Sequence, residues 1–318
     1  MSVEHGGTGL FERARRERRD RYAELTAALD RVAEAREETM DRLHRDGFAF
    51  LPSHVPGDVA ASIERRVDRF CLKGRHLQRP ARVAGLARDA DYRSARRLEE
   101  ADLALGLDHF RHLTSAVNVA DPLVHVPEVV DVAFDPRLLD LAGAYLGCPP
   151  LLGFVKLTRS LVNGLRPFDT EEFHVDGNGT SLVKAFVHLH DTGPDAGAHH
   201  FVRASHRERI AGWNVADRAS EELIRRRYGR ERIVVHEARA GDVVLEDTSG
   251  FHRRGKARTR DRTLLILNYV VHDEYGGGGA RAKIRASDLA RLSARQRSAT
   301  DLLEAAEDPA GDPAGDPV

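Results

Sequence analysis

The sequence predicts a mainly β protein, an antiparallel sandwich or barrel with flanking helices. From residue 151 onward, short runs rich in β-forming residues alternate with Gly, Pro, Asn and Asp, which is typical of an all-β domain. Before that point, apolar residues recur mostly at helical spacing. The chain has 318 residues, of which 41% are hydrophobic, enough to bury one large core.

The first 45 residues predict a charged helical extension. Between Leu10 and Leu43, apolar residues form one stripe of a helical pattern whose other positions are densely charged. Such a helix can lie solvated on the main domain or pair with a second copy, and the first arrangement is favoured. A homodimer formed through this extension is left open.

Residues 46–275 are expected to form the main domain. A short apolar strand at residues 47–52 precedes an amphipathic helix at residues 56–70. Residues 72–122 have little periodicity and are expected either to cover a pocket or to connect the neighbouring elements. A further helix at residues 129–146 is ended by a Gly and two Pro.

Six strands then follow, interrupted by one helical insert at residues 221–228. The strands are predicted at residues 151–157, 182–189, 199–203, 233–237, 242–245 and 263–271. Residues 276–318 are predicted to contain a polar helix, at residues 286–306, and a disordered low-complexity tail.

Composition argues against several classes of function. The formal net charge of -1 comes from dense mixed charges, whereas general nucleic-acid binding needs a clustered basic excess. No apolar run reaches the length of a membrane span, so neither a nucleic acid nor a membrane is expected as a partner. Cys71 and Cys148 are too few for a disulfide framework, and no secretory signal is apparent, which predicts a cytoplasmic protein.

The strongest candidate for chemistry is His174-Val175-Asp176. On a strand, residues two apart point to the same face, so His174 and Asp176 can reach one ion together. His252, on a separate segment, would complete a set of two imidazoles and one carboxylate. That set is typical of the facial triad of non-haem Fe(II) oxygenases, which leaves three octahedral positions open.

Other histidines are rivals for the metal. A second tripeptide of this kind, His44-Arg45-Asp46, falls where a helix is expected to end, and we interpret it as a chance match. His188 and His190 share one strand face, and a structural or substrate-contacting role is favoured for them over ligation.

Three further histidines and the single tryptophan are expected to have structural roles. His199, His200 and His206 are interpreted as turn and surface residues. Trp213 lies near the helical insert and is expected to pack there, with a place in the pocket wall as the alternative.

Arg262 is the candidate anchor for the distal carboxylate of a 2-oxo acid. The planar fork of an arginine binds a carboxylate bidentately. Arg258 and Arg260 share its strand parity, but Arg262 adjoins an apolar run, where a charge needs a ligand or partner. A structural Asp or Glu partner is the alternative. Lys156, Thr158 and Arg159 are candidate contacts to 2-oxoglutarate or substrate.

Taken together, these residues resemble the phytanoyl-CoA dioxygenase-like family of Fe(II)/2-oxoglutarate-dependent oxygenases. The resemblance runs from about residue 46 to residue 269. It rests on an ordered series of motifs: Asp46-Gly47-Phe48-Ala49-Phe50-Leu51-Pro52, Asp135-Pro136-Arg137-Leu138-Leu139, His174-Val175-Asp176, Ala204-Ser205-His206, Gly241-Asp242-Val243-Val244-Leu245, and His252 with Arg262.

The resemblance implies a double-stranded β-helix, a cupin-like jelly roll, with iron at one open end. It implies that His174, Asp176 and His252 ligate Fe(II) and that Arg262 anchors 2-oxoglutarate. The implied reaction uses O2, converts 2-oxoglutarate to succinate and CO2, and oxidises a small molecule, by hydroxylation as the default. Because Asp176 keeps its carboxylate, halogenation is disfavoured, while desaturation, epimerisation and ring closure stay open.

Two departures from the family pattern leave the metal assignment intact. Ala204 stands where the family usually has Gly, and Arg253-Arg254-Gly255-Lys256 stands where it often shows a Gly-Ser-Gly-Pro-Asn-like stretch. The alternative hypothesis is that the chain is a cupin-like metal-binding protein or isomerase that does not use 2-oxoglutarate. A third hypothesis is a scaffold that binds no metal. The Arg-rich composition is interpreted as a sign of specialised metabolism.

Overall fold

The computed structural model consists of β-sheets flanked by helices. It describes residues 6–34, 38–73, 77–78, 111, 115–164, 169–177, 182–215, 217–273 and 281–309. The helices are α1 (Gly6–Arg21), α2 (Ala23–Glu34), α3 (Glu38–Asp46), α4 (Gly57–Lys73), α5 (Pro122–His125), α6 (Pro127–Ala133), α7 (Pro136–Leu146), α8 (Glu221–Tyr228), α9 (Ala286–Arg291) and α10 (Ala294–Arg297). The strands are β1 (Phe48–Leu51), β2 (Leu77–Gln78), β3 (Ala116–Val119), β4 (Leu151–Ser160), β5 (Leu182–His188), β6 (His199–Val202), β7 (Ile233–His236), β8 (Val243–Glu246), β9 (His252–Arg253), β10 (Arg262–Val270), β11 (Lys283–Arg285) and β12 (Glu304–Ala306).

Two antiparallel sheets form the jelly roll. The larger sheet has the order β1-β8-β5-β10-β4-β3-β2, and the smaller has the order β7-β6-β9. A single antiparallel bridge between His174 and His252 adds the segment of the His-x-Asp motif to the edge of the smaller sheet. The predicted mainly β fold, a double-stranded β-helix with flanking helices, is confirmed.

Strand β5 shows how the larger sheet is buried on both faces. Val183, Ala185 and Val187 join the main core, in which the sheet packs on the helices. Phe186 points the opposite way and joins a second cluster with Phe201 of the smaller sheet. Because side chains alternate across a strand, one face of β5 packs on the helices and the other faces the inside of the roll.

The N-terminal helical region divides into α1, α2 and α3. Met40 and Leu43 of α3 belong to the main core. Leu29 of α2 packs on Gly143 of α7, and Arg18 of α1 is only 7% exposed. These helices therefore lie against the main body of the protein.

Two predicted helices differ from the structure. The helix expected at residues 129–146 is two helices, because Asp135 caps the start of α7 ahead of a proline. The single helix predicted at residues 286–306 is wrong. Ser293 and Gln296 form a capping box that begins α10 as a separate helix, and β12 then pairs in parallel with β11.

Two predicted regions lie largely outside the described residues: the covering segment at residues 72–122 and the tail beyond residue 309. Within the part of the chain that is described, no helix combines the length and apolar character that a membrane span requires.

Candidate metal centre

Two short stretches of backbone bring His174 and His252 side by side. The backbone N–H of each donates to the carbonyl of the other, both at 3.0 Å. The N–H of Asp176 donates to the carbonyl of Thr248 at 2.8 Å, which fixes the third side chain beside them. One ligand atom from each of His174, Asp176 and His252 lies within 4.8 Å of the other two.

Backbone carbonyls orient both imidazoles. Nδ1 of His174 lies 2.9 Å from the carbonyl oxygen of Glu172, and Nδ1 of His252 lies 2.9 Å from that of Gly250. Since a carbonyl only accepts hydrogen bonds, each Nδ1 carries the proton and each Nε2 keeps its lone pair for a metal. Burial, followed by the charge of His252, lowers the pKa of His174 to about 3, so that this ligand is neutral.

The carboxylate of Asp176 lies between Lys184 and His252. Its Oδ2 is 2.5 Å from Lys184 Nζ and 3.0 Å from His252 Nε2. Burial alone would raise the pKa of Asp176, but the charge of Lys184 above all holds it well below its usual range. The centre thus offers two imidazole Nε2 atoms and one ionised carboxylate, a donor set that suits Fe(II). Within the described ranges it is the one such group of His, Cys, Asp or Glu.

A cavity of about 200 Å³ opens beside the three side chains. The predicted residues Lys156, Thr158 and Arg262 line it, whereas the predicted contact Arg159 does not, because its guanidinium pairs with Glu64 instead. Eight lining residues were not singled out from the sequence as residues of this cavity: Phe154, Thr170, Lys184, Phe186, His199, Arg254, Leu264 and Ile266. The β4 and β10 residues share strand parity with the predicted ones, so alternation along these strands could have found them.

Arg262 holds a buried guanidinium at the cavity. The residue is 1% exposed, and its Nε and Nη1 have no hydrogen-bond partner among the described residues. Burial, followed by the charge of Arg254, lowers the pKa of Arg262 to about 9, so it is still a cation at neutral pH. The rivals Arg258 and Arg260 are exposed. No Asp or Glu in the described residues pairs with Arg262, so the alternative of a structural partner is not observed there.

The other candidate ligands lie elsewhere. His188 is fully buried, with Nδ1 3.4 Å from Thr192 Oγ1, and His190 Nε2 accepts a hydrogen bond from the Thr263 backbone at 3.0 Å. In the second His-x-Asp tripeptide, Asp46 ends α3 and its carboxylate pairs with the neighbouring arginine at 2.8 Å. None of these groups joins the metal cluster.

The prediction that His199 and His206 are turn and surface residues is wrong, since they are 4% and 9% exposed. His199 Nε2 lies 2.9 Å from Oε2 of the fully buried Glu246, whose Oε1 is 2.8 Å from His236 Nδ1. His206 Nε2 lies 3.1 Å from the carbonyl oxygen of His44. These partners come from distant segments of the chain, so the sequence around His199 and His206 could not indicate that the two side chains are buried.

The Ala-Ser-His motif at residues 204–206 supports the segment that carries His252. Ser205 Oγ accepts a hydrogen bond from the backbone N–H of Phe251 at 2.7 Å. Trp213 packs edge-on against Phe251, with ring centroids 5.2 Å apart, and is not among the residues that line the metal cavity. Its expected packing role is therefore observed.

Solved structures of similar fold support the architecture. The epimerase SnoN, in complex with Fe3+, alpha ketoglutarate and nogalamycin RO, is 19% identical with a TM-score of 0.50, covering 80% of this chain and 93% of its own. The carbocyclase SnoK from nogalamycin biosynthesis is 16% identical with a TM-score of 0.52, covering 82% and 92%. EctD from S. alaskensis with bound Fe is 17% identical with a TM-score of 0.52, covering 73% and 75%.

A match to a protein-family sequence model identifies the family of this chain. No curated protein is detectably similar in sequence. Residues 43–263, more than half of the chain, match the model described as Phytanoyl-CoA dioxygenase (PhyH). The chain therefore belongs to the phytanoyl-CoA dioxygenase family of iron- and 2-oxoglutarate-dependent enzymes.

Proposed function

We propose that this protein is a non-haem Fe(II)/2-oxoglutarate-dependent dioxygenase that oxidises a small molecule, with hydroxylation as the default outcome. The observation that carries the proposal is one cavity that contains both features the cosubstrate needs. His174, Asp176 and His252 gather three metal donors on its wall, and Arg262 places a buried cation without a protein partner among the described residues on the same wall.

The donor set fits Fe(II). The Nε2 atoms of His174 and His252 face the Asp176 carboxylate with their protons directed elsewhere, to backbone carbonyls. These three side chains would hold Fe(II), and the cavity beside them would leave room for 2-oxoglutarate and O2. Bound Fe(II) would supply the reduction of O2, coupled to oxidative decarboxylation of 2-oxoglutarate to succinate and CO2.

The cavity walls supply the binding contacts. Arg262 would hold the distal carboxylate of 2-oxoglutarate, and its burial strengthens that ion pair because water is excluded. Lys156 and Thr158 lie opposite Ile266 and Leu264 in the pairing of β4 with β10. We assign Lys156 and Thr158 to contacts with 2-oxoglutarate or with the oxidised substrate.

Asp176 limits which types of reaction we propose for the substrate. Halogenases of this superfamily have a small residue in place of this carboxylate, so halogenation is not proposed for a chain that keeps Asp176. SnoN and SnoK are an epimerase and a carbocyclase by name, so this fold hosts outcomes other than hydroxylation. The nogalamycin RO bound to SnoN is consistent with a small-molecule substrate from specialised metabolism for the present chain.

Succinate formation tests the proposal. Wild-type protein with Fe(II), 2-oxoglutarate and air is expected to release succinate, at a rate that rises with an accepted small molecule. Asp176→Ala and Arg262→Met should each reduce the rate by about 100-fold, since each removes a charged contact worth about 3 kcal/mol. Arg260→Met, at an exposed position, is the matched control and should be unaffected. A wild-type protein that binds the metal but forms no succinate would favour the cupin-like alternative.

A further inference from the structure

A second guanidinium borders the cavity close to the first. Arg254 lies two residues after the ligand His252 and lines the same cavity as Arg262. Its Nη1 is 3.3 Å from Oγ of Ser160, and Ser160 is the strand partner directly opposite Arg262. Two cations that line one cavity repel each other unless an anion lies between them.

Two serines hold the guanidinium of Arg254 in place. Its guanidinium donates to the carbonyl and the hydroxyl of Ser115 and to the hydroxyl of Ser160. Its Nη2 lies 3.6 Å from Oε1 of Glu171, and its backbone N–H donates to the carbonyl of Thr170 at 2.7 Å. The serine contacts and the backbone bond therefore preorganise the guanidinium beside Arg262 without Glu171, and reaching a bound carboxylate requires little loss of side-chain freedom.

We propose that Arg254 acts with Arg262 to bind the distal carboxylate of 2-oxoglutarate, so that the carboxylate lies between two guanidinium groups. This inference rests on the proposed function. Negative and positive groups would then alternate in the order Glu171, Arg254, the distal carboxylate of 2-oxoglutarate and Arg262. This arrangement makes the site selective for 2-oxo acids with a second carboxylate, because a monocarboxylic acid would leave both guanidinium groups facing each other.

The competing hypothesis is that Arg254 has only a structural role. In that case it would tether the turn Asp169–Glu171, which lies near the metal segment, through its ion pair with Glu171. The two hypotheses predict opposite effects of neutralising Glu171 on the affinity for 2-oxoglutarate. If Arg254 only tethers the turn, removing the charge of Glu171 harms cosubstrate binding as much as removing Arg254. If Arg254 binds the carboxylate, Glu171 competes for it, and its neutralisation helps binding.

The experiment is an anaerobic titration of the Fe(II)-loaded protein with 2-oxoglutarate, followed by its visible charge-transfer band. Arg254→Met is expected to raise the dissociation constant about 10- to 100-fold, as for loss of a hydrogen bond between charged groups. Arg254→Lys, which keeps the charge but loses the fork, should show a smaller increase. Glu171→Gln should leave the constant unchanged or lower it, with Fe(II) affinity unaltered in all three variants.

A shorter ligand isolates the distal carboxylate. 2-Oxobutyrate lacks that group, so wild type and Arg254→Met should bind it with equal affinity in calorimetry. Equal 2-oxoglutarate affinity in wild type and Arg254→Met, equal losses for both acids, or weaker binding in Glu171→Gln would each overturn the role of Arg254 while leaving the proposed function standing. A wild-type protein that gives no band with 2-oxoglutarate would overturn both.

Discussion

Two buried arginines on adjacent strands differ in their partners. Arg159 is 7% exposed, and its guanidinium donates to Glu64 at 2.8 Å and to Thr263 at 3.0 Å. Arg262 is 1% exposed and has no such partner among the described residues. A buried charge without a partner is costly to the native state, whereas removing one member of a buried pair strands the other.

Methionine at these two positions should therefore have opposite effects on the metal-free protein. Arg159→Met is expected to lower the free energy of unfolding by about 2 kcal/mol, since Glu64 is left without its cation. Arg262→Met should leave it unchanged or raise it by about 1 kcal/mol. Urea unfolding measures both. If Arg262→Met destabilises the protein as strongly as Arg159→Met, Arg262 is a structural residue and not a ligand anchor.

Ala204 carries backbone strain at the position where the family usually has glycine. Its φ is 58°, in the left-handed region, which costs a residue with a Cβ about 1–2 kcal/mol. Ala204→Gly is expected to raise the free energy of unfolding by about 0.5–1 kcal/mol after the greater entropy of unfolded glycine is subtracted. Ala27→Gly, at an exposed position within α2, should instead lower it by about 1 kcal/mol. Loss of stability in Ala204→Gly would contradict this account.

The site residues that could be predicted are those whose signal is local. His174 and Asp176 share one face by their spacing alone, and the structure places them together. Lys184 and His199 could not be recognised in this way. The role of Lys184 depends on where β5 begins relative to Asp176, and that of His199 depends on a carboxylate in another sheet.

At the scale of elements, helix α1 is docked by arginines that donate to backbone carbonyls of the main body, and Arg18 makes more of these bonds than Arg15 or Arg19. Nε of Arg18 donates to the carbonyl of Pro149 at 2.7 Å, and Nη2 donates to those of Pro150 at 3.2 Å and Ser298 at 2.6 Å. Arg18→Met should lower the free energy of unfolding by about 2 kcal/mol, because several carbonyls lose a charged donor at once. Arg16→Met, on the exposed face of the same helix, should change it by less than about 0.5 kcal/mol. Equal stability of the two variants would show that α1 is not docked in this way.

Elements bounded by turn-forming residues could be predicted from the sequence. Short strands that form only because a neighbouring strand pairs with them could not. The strands from β4 to β10 lie between Gly, Pro, Asn and Asp, and most were found within a few residues. Strand β9 has only two residues and exists because β6 lies beside it. The C-terminal region was predicted as one polar helix, whereas β12 depends on a parallel partner, β11.

At the scale of the whole molecule, buried neutral imidazoles couple folding to pH. Burial, followed by the charge of Arg262, lowers the pKa of His188 to about 3, and burial lowers that of His199 to about 4. The pKa of His174 is also lowered, to about 3. An unfolded histidine titrates near pH ~6.5. Between that pH and the folded-state values, the unfolded chain binds protons that the native state excludes, so stability present above pH ~6.5 is lost as the pH falls.

The free energy of unfolding of the metal-free protein should therefore decrease between pH 7.5 and pH 5.5, by about 1 kcal/mol for each of these histidines. His188→Leu removes one of them and should make the decrease shallower by about that amount. Urea unfolding at several pH values measures the slope. A stability that is constant over this interval would show that the imidazoles are not excluded from protonation by the fold.

The central claim is that His174, Asp176 and His252 hold one Fe(II) and that Arg262 anchors 2-oxoglutarate beside it. The most direct measurement is an anaerobic titration of metal-free protein with Fe(II) and then 2-oxoglutarate, followed by visible absorption. We predict a charge-transfer band in wild type and in Arg260→Met, no band in Asp176→Ala, and a band that needs much more 2-oxoglutarate in Arg262→Met. Fe(II) binding without a band in wild type, or an unchanged 2-oxoglutarate affinity in Arg262→Met, would contradict the claim.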